Sequence, residues 1–292
     1  MSSTFRVSAA LLLAAAATAA CGQSLQLTPA SPHLGRTWLD TAYTLGKTQV
    51  DVGWDHRQGS KGGRKFGDYA TYAAFGVTDD LTVIWDTHSA HAVNRDRTST
   101  FDANGWGLKL KYGIDAWSGE QSRTAVALEW RNADATSVSD GATRTPPDAR
   151  LWALTAHHTR QLTERSALHL GAGLTDSSVG SGDCRTLQLG GGYDWRFGDD
   201  VTLEGTLCVW NDSGDVSATH TGLMGSVAYD GRTGFGVDAG VAFFPNGVPV
   251  AGTPLADGTA FSLDPVTISL AQRLRNDALG VLRVGVHYTH QF

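Results

Sequence analysis

Beyond its first twenty residues the chain has no apolar run approaching the roughly 20 residues that a membrane-spanning helix needs. Together with a slightly negative mean hydropathy, this excludes a polytopic helical membrane protein. Cysteine is scarce, 3 in 292 residues, so the fold is not a disulfide-stapled scaffold. Only 8 prolines are present, which leaves room for long uninterrupted strands. Charged residues are 18% of the chain and sum to -6. The longest basic cluster, Lys61-Gly62-Gly63-Arg64-Lys65, is short and diluted by glycine. A nucleic-acid partner, which needs a basic stripe to displace counterions, is therefore not expected.

Histidines gather as His88-Ser89-Ala90-His91 and His157-His158. A metal site needs ligands converging from one face, and a hydrolytic site needs a nucleophile beside a base. Asp86 and His88 share a strand face, but spacing brings no serine or further ligand to them. The reading assigns no catalytic, cofactor or metal residues and expects no enzyme.

Glycine and aromatics are plentiful instead, at 35 glycines with 9 Trp, 7 Tyr and 10 Phe, a composition suited to repeated strands and tight turns. Residues 1–20 read as a secretory signal: Arg6, an apolar run from Ala9 to Ala20, then small residues. Two endings compete. Cleavage could follow Ala17-Thr18-Ala19, or Thr18-Ala19-Ala20-Cys21-Gly22 could serve as a lipobox, making Cys21 the lipidated first residue of the mature chain. Residues 21–45 are expected to be a periplasmic lead segment and residues 46–292 the main domain.

That domain alternates apolar and polar residues almost from end to end, the mark of strands with a different solvent on each face. In 201–209, Val201, Leu203, Gly205, Leu207 and Val209 share one face, and Thr202, Glu204, Thr206 and Cys208 the other. Similar ladders cover 49–55, 65–77, 81–88, 106–112, 124–131, 150–162, 167–174, 187–197, 223–229, 235–243, 266–274 and 282–292, about thirteen candidates in all. Tight turns such as Thr78-Asp79-Asp80, Thr163-Glu164-Arg165, Gly198-Asp199-Asp200 and Asp230-Gly231-Arg232 separate some of them. Long polar connections at 94–104, 132–148, 211–221 and 245–264 separate others.

Short turns on one side and long loops on the other are expected of an all-β, transmembrane, antiparallel up-and-down β-barrel, with turns in the periplasm and loops outside. Such barrels have even strand numbers, so twelve is the central expectation and fourteen the alternative, with 37–45 or 259–263 able to supply a missing strand. The polar face is charged on strand after strand, and Asp51, Asp86, Lys109, Lys111, Glu129, Arg131, Asp194, Arg196, Glu204, Asp238, Arg273 and Arg283 are candidates to face the lumen. Aromatics including Trp85, Trp106, Tyr112, Tyr193, Phe197, Tyr229 and Tyr288 lie on the apolar stripe, where interface girdles would need them.

The final ladder resembles the assembly signal of outer-membrane barrels: a polar residue, a glycine, an aromatic and a last Phe, here Arg283, Gly285, Tyr288 and Phe292. His290 departs from the hydrophobic residue usual at its place. The resemblance implies the barrel-assembly machinery as a partner, outer-membrane lipid as surroundings and the outer membrane of a Gram-negative bacterium as location. If the turn at 198–200 pairs Phe197 with Val201, Cys208 faces Gly190 and lies about six residues from Cys184, too far for a disulfide at about 3.4 Å per residue.

The phrase Tyr72-Ala-Ala-Phe-Gly-Val-Thr-Asp-Asp-Leu-Thr-Val83, with Leu27-Thr28-Pro29 through Gly35, resembles phrases of a porin-like family associated with the MetA pathway of phenol degradation. These phrases cover about a quarter of the chain and imply an outer-membrane transporter without catalytic residues. The function expected is passage of small solutes, hydrophobic or aromatic ones included. The alternatives are a non-conducting structural or adhesive barrel whose external loops bind a partner and, third, a hydrolase at the barrel rim.

Overall fold

The computed structural model describes residues 40–61, 64–93, 99–139, 142–144, 149–179, 182–214, 217–231, 234–245 and 279–292. The strands are β1 (Gln49–Lys61), β2 (Arg64–Gly76), β3 (Leu81–Val93), β4 (Ser99–Gly113), β5 (Ser122–Ser139), β6 (Ala142–Arg144), β7 (Ala149–Thr163), β8 (Ser166–Val179), β9 (Gly182–Phe197), β10 (Val201–Gly214), β11 (Ala218–Asp230), β12 (Phe235–Phe244) and β13 (Leu279–Gln291). All neighbours are antiparallel, and β1 pairs with both β2 and β13, so the sheet closes on itself. The three-residue β6 pairs with β5 alone and lies outside the ring. The molecule is therefore a closed twelve-stranded up-and-down β-barrel. Closure satisfies every ladder hydrogen bond without leaving an edge, the condition for sheet structure in lipid.

Of the expected ladders, 266–274 lies outside the described residues, as does 259–263, and the other twelve supply the ring. Residues 40–45 form no strand. The long connections at 94–104 and 132–148 prove partly strand: β4 begins at Ser99 and β5 continues to Ser139, paired across Ser99–Ser139 and Asn104–Asp134. The stripe of large apolar residues that ends at Trp106 and Trp130 gives way in sequence to Asn104, Asn132 and Asp134, while the backbone ladder continues.

The barrel is inside-out relative to a soluble one. Along β12 every second residue is buried, and along β10 the same alternation runs from Thr202 to Asp212. The exposed face carries Leu154, Leu174, Leu189, Leu207, Leu223 and Val241, each more than half exposed. The buried face carries Asp51, Lys111, Glu129, Arg283 and many hydroxyls. Near the turn end, Tyr112, Phe197, Tyr229, Phe235 and Tyr288 stand outward on this belt. Further along the barrel wall Trp106, Trp130 and Trp152 form a row, with Trp106 and Trp130 edge to face at 4.5 Å. Tyr112 and Trp106 are six residues apart on β4, about 20 Å along the strand, which at the usual tilt projects to about 15 Å of an apolar belt about 25 Å tall.

At the 198–200 turn Gly198 takes a φ of 71°, a left-handed value that costs glycine nothing. That turn pairs Phe197 with Val201 and Cys208 with Gly190, and Cys208 is a buried free thiol. The corner into β1 is Thr48, whose φ is 64°. It is pinned by its N–H to Gly76 O at 2.9 Å and by its hydroxyl to Phe292 O at 3.1 Å.

Candidate functional site

Alternation delivers the polar residues to the barrel interior, but register decides which of them meet. Asp86 on β3, Gly107 on β4 and Arg131 on β5 occupy one cross-strand row. Arg131 reaches over the side-chain-free Gly107 and donates two hydrogen bonds of 2.9 Å to the Asp86 carboxylate. Its Nε also donates to Glu129. Two residues further along the same face, Lys109 lies 3.7 Å from Glu129. Bidentate, charge-assisted pairs of this kind are the strong form of a buried ion pair.

A second cluster sits on β1, β12 and β13. Asp55 accepts from Arg57 at 2.7 Å and from Arg283 at 2.9 Å, and Arg283 also approaches Asp238 at 3.5 Å. Asp51 accepts from the Tyr72 and Thr289 hydroxyls, each at 3.2 Å. Towards β8–β11 the lining turns to carboxylates with histidine and hydroxyl partners. There His169 faces Asp194 at 3.2 Å, His220 faces Asp212 at 3.5 Å, and Glu204 accepts from Thr206 at 2.7 Å. Between Glu204 and Asp212 along β10, an apolar cluster of Cys208, Trp210, Met224, Ala242, Phe244 and Val281 interrupts the charged lining.

The third contribution comes from outside the strands. Residues 40–45 run into the turn-end mouth of the barrel. Leu45 is fully buried against Ala74 and Ile84, and its N–H donates to Thr82 Oγ1 at 2.8 Å. Ala42 N–H donates to Thr159 Oγ1 at 3.0 Å on the far side of the mouth. Asp40 lies deeper, with Oδ1 at 2.7 Å from Lys111 Nζ and Oδ2 at 2.8 Å from Lys109 Nζ. Burial alone would raise the Asp40 carboxyl, but the two ammonium groups outweigh it and hold it well below the ordinary carboxylate range. Tyr43 packs edge-on against His169, and burial, helped by the charge of Asp194, pushes its phenol up to about 12. A cavity of about 30 Å³ beside Tyr43 is bounded by Gln161, Arg165, Asp194 and Arg196.

Of the twelve charged residues singled out from sequence, Asp51, Asp86, Lys109, Lys111, Glu129, Arg131, Glu204, Asp238 and Arg283 are buried inside the ring. Asp194 and Arg196 are half-buried near the turn end, and Arg273 lies outside the described residues, as does Cys21. Gly285 is buried beside Arg283, while Tyr288 and Phe292 are exposed. The paired histidines separate: His157 turns inward, 2.8 Å from Thr155 Oγ1, and His158 meets Thr124 Oγ1 at 2.9 Å. Asp40, Arg57, Asp212, His169, His220 and His287 were missed. For Arg57, Asp212 and His220, carrying the alternation to the ends of the observed strands finds the face, and His169 and His287 already lie on the polar face of the expected ladders 167–174 and 282–292. Nothing in the sequence marks Asp40.

No family model and no curated protein matches the chain. Solved structures do. The translocator domain of the autotransporter NalP from Neisseria meningitidis is 12% identical, with a TM-score of 0.54 over 86% of this chain and 90% of that one. An outer-membrane channel from Pseudomonas putida F1 is 10% identical, with a TM-score of 0.52 over 91% of this chain and all of that one. This is the fold of an outer-membrane β-barrel. The outward apolar belt and the inward charge place the barrel in lipid, and closed barrels of this kind span the outer membrane of Gram-negative bacteria.

Proposed function

We propose that this outer-membrane barrel is a narrow pore for small solutes, its turn end in the periplasm and its passage constricted there by residues 40–45. The observation that carries the reading is the lumen itself, a charged and hydroxylated lining crossed at one mouth by a short segment that is not part of the barrel wall. A barrel built only as a structural anchor has no use for a buried field of alternating charges, because replacing buried ion pairs with apolar packing is often neutral or stabilising. In a pore the same groups screen solutes by charge. The likeness of residues 72–83 to the MetA-pathway family supports small solutes that include hydrophobic or aromatic ones. We assign passage and no catalysis, and the last strand, with Arg283, Gly285, Tyr288 and Phe292, as the contact for the assembly machinery.

The test is single-channel recording of the full chain in planar lipid bilayers, after heat-modifiable migration has shown a folded barrel. The expected result is small discrete steps that grow when residues 40–46 are replaced by a Gly-Ser linker. A folded barrel that stays silent with and without the replacement would refute the pore.

A further inference from the structure

We propose that Lys109 and Lys111 form a carboxylate-binding site inside the barrel, occupied in this structure by the chain's own Asp40 and open to a small carboxylate solute when residues 40–45 withdraw. The proposal rests on the pore reading only for how a solute reaches the site.

The two lysines are alternate residues of β4, so both project inward from positions about 7 Å apart. Their ammonium groups converge on one carboxylate, one on each oxygen, at 2.7 and 2.8 Å. Both lysine side chains and Asp40 are more than nine-tenths buried. His157 Nε2 stands 3.7 Å from the same carboxylate. Glu129 lies 3.7 Å from Lys109 and also serves Arg131, which holds Asp86. The cluster thus sets three cations, Lys109, Lys111 and Arg131, against three carboxylates, Asp40, Glu129 and Asp86.

Asp40 is the one member of this balance that is not on a barrel strand. Its withdrawal leaves three cations against two carboxylates, one positive charge in excess at the two converging ammonium groups, in surroundings where unpaired charge is costly. An incoming anion restores the balance. The clamp fits a carboxylate because each oxygen has its own donor. Tethered a few residues from Thr48, Asp40 competes at an effective concentration in the millimolar range, so the native chain resists weak anions and yields to concentrated ones.

Acetate reproduces the Asp40 side chain from its Cβ outward and serves as the probe. Saturation-transfer NMR of the folded full chain in detergent is run with acetate and with neutral acetamide. D40A is expected to bind acetate at least about tenfold more tightly than the wild type, since the tethered competitor is gone, while acetamide binds neither. D40A/K109Q/K111Q is expected to lose acetate binding. If D40A fails the heat-shift test for folding, the isosteric D40N takes its place with the same readout. Equal acetate affinity in wild type and variant, or binding that survives loss of both lysines, overturns the site. Acetate binding to a barrel silent in bilayers would sink the pore and leave the site, whereas a conducting barrel without acetate binding would do the reverse.

Discussion

Arg131 on β5 and Asp86 on β3 are joined by two parallel hydrogen bonds of 2.9 Å that pass over Gly107 of the strand between them. A Cβ at Gly107 would stand 2.8 Å from one Asp86 oxygen and 3.0 Å from the other. Gly285, between Asp55 and Asp238, also lacks a Cβ that would crowd the Asp238 carboxylate, but there Arg283 of the same strand reaches partners on the two adjacent strands. Glycine at 107 lets a long side chain cross a strand and find its partner two strands away.

Gly107→Val is therefore expected to push the Asp86 carboxylate off Arg131 and to destabilise the barrel by about 1–3 kcal/mol from crowding alone. Gly205 faces outward on β10 with nothing within 4 Å of its absent Cβ, so Gly205→Val is the control and should be near neutral. Urea midpoints of the heat-modifiable form measure both. Equal midpoints for the two variants would show that the crossing carries no energy.

Removing one partner of the crossing should cost more than removing both. Arg131→Met takes the bidentate partner from buried Asp86 and leaves Glu129 with the more distant Lys109, a loss of about 3–5 kcal/mol. Adding Asp86→Asn should recover part of that loss, because one orphaned charge disappears. A double-mutant cycle on unfolding free energy reads the coupling, and strict additivity would mean the pair is not coupled.

The seating of residues 40–45 should depend on pH in a set direction. The folded Asp40 carboxyl lies below its unfolded value of about 3.9. Its stabilisation is thus present above about pH 4 and lost progressively as pH falls from there through the lowered folded value. The titratable neighbours are Lys109, Lys111, Glu129 and His157. Hydrogen exchange of the Ala42 and Leu45 amides, corrected for intrinsic rates, should show constant protection from pH 7 to 4 and a fall below that. D40N should show weaker protection throughout. A transition already complete above pH 5 would overturn the assignment to Asp40.

On the outer face, a charge should cost according to depth. Leu189 sits at the middle of β9 and is 53% exposed. Leu189→Arg is expected to lose about 2–4 kcal/mol of folding free energy in lipid vesicles, whereas Phe197→Arg, at the turn-end rim, should lose about 0–1 kcal/mol. Equal costs at the two depths would contradict a membrane-spanning belt.

Most of the barrel was legible in the chain because a strand between two solvents writes its faces at period two. Leu203, Leu207 and Val209 stand outward and Thr202, Glu204 and Cys208 inward as the alternation of 201–209 requires. A two-sided pattern also fixes register across a tight turn, which is why Cys208 meets Gly190. The strand extensions at 99–104 and 132–139 were illegible because the large apolar residues that mark the outward stripe stop before them and loop-type polar residues take their place. Alternation also says only which way a charge points. That Arg131 takes Asp86 two strands away, while Lys109 and Lys111 take Asp40 from a segment with no periodicity at all, follows from the stagger of neighbouring strands and the path of residues 40–45. Closure of the ring alone brings those groups into one low-dielectric space, where each charge must find its partner.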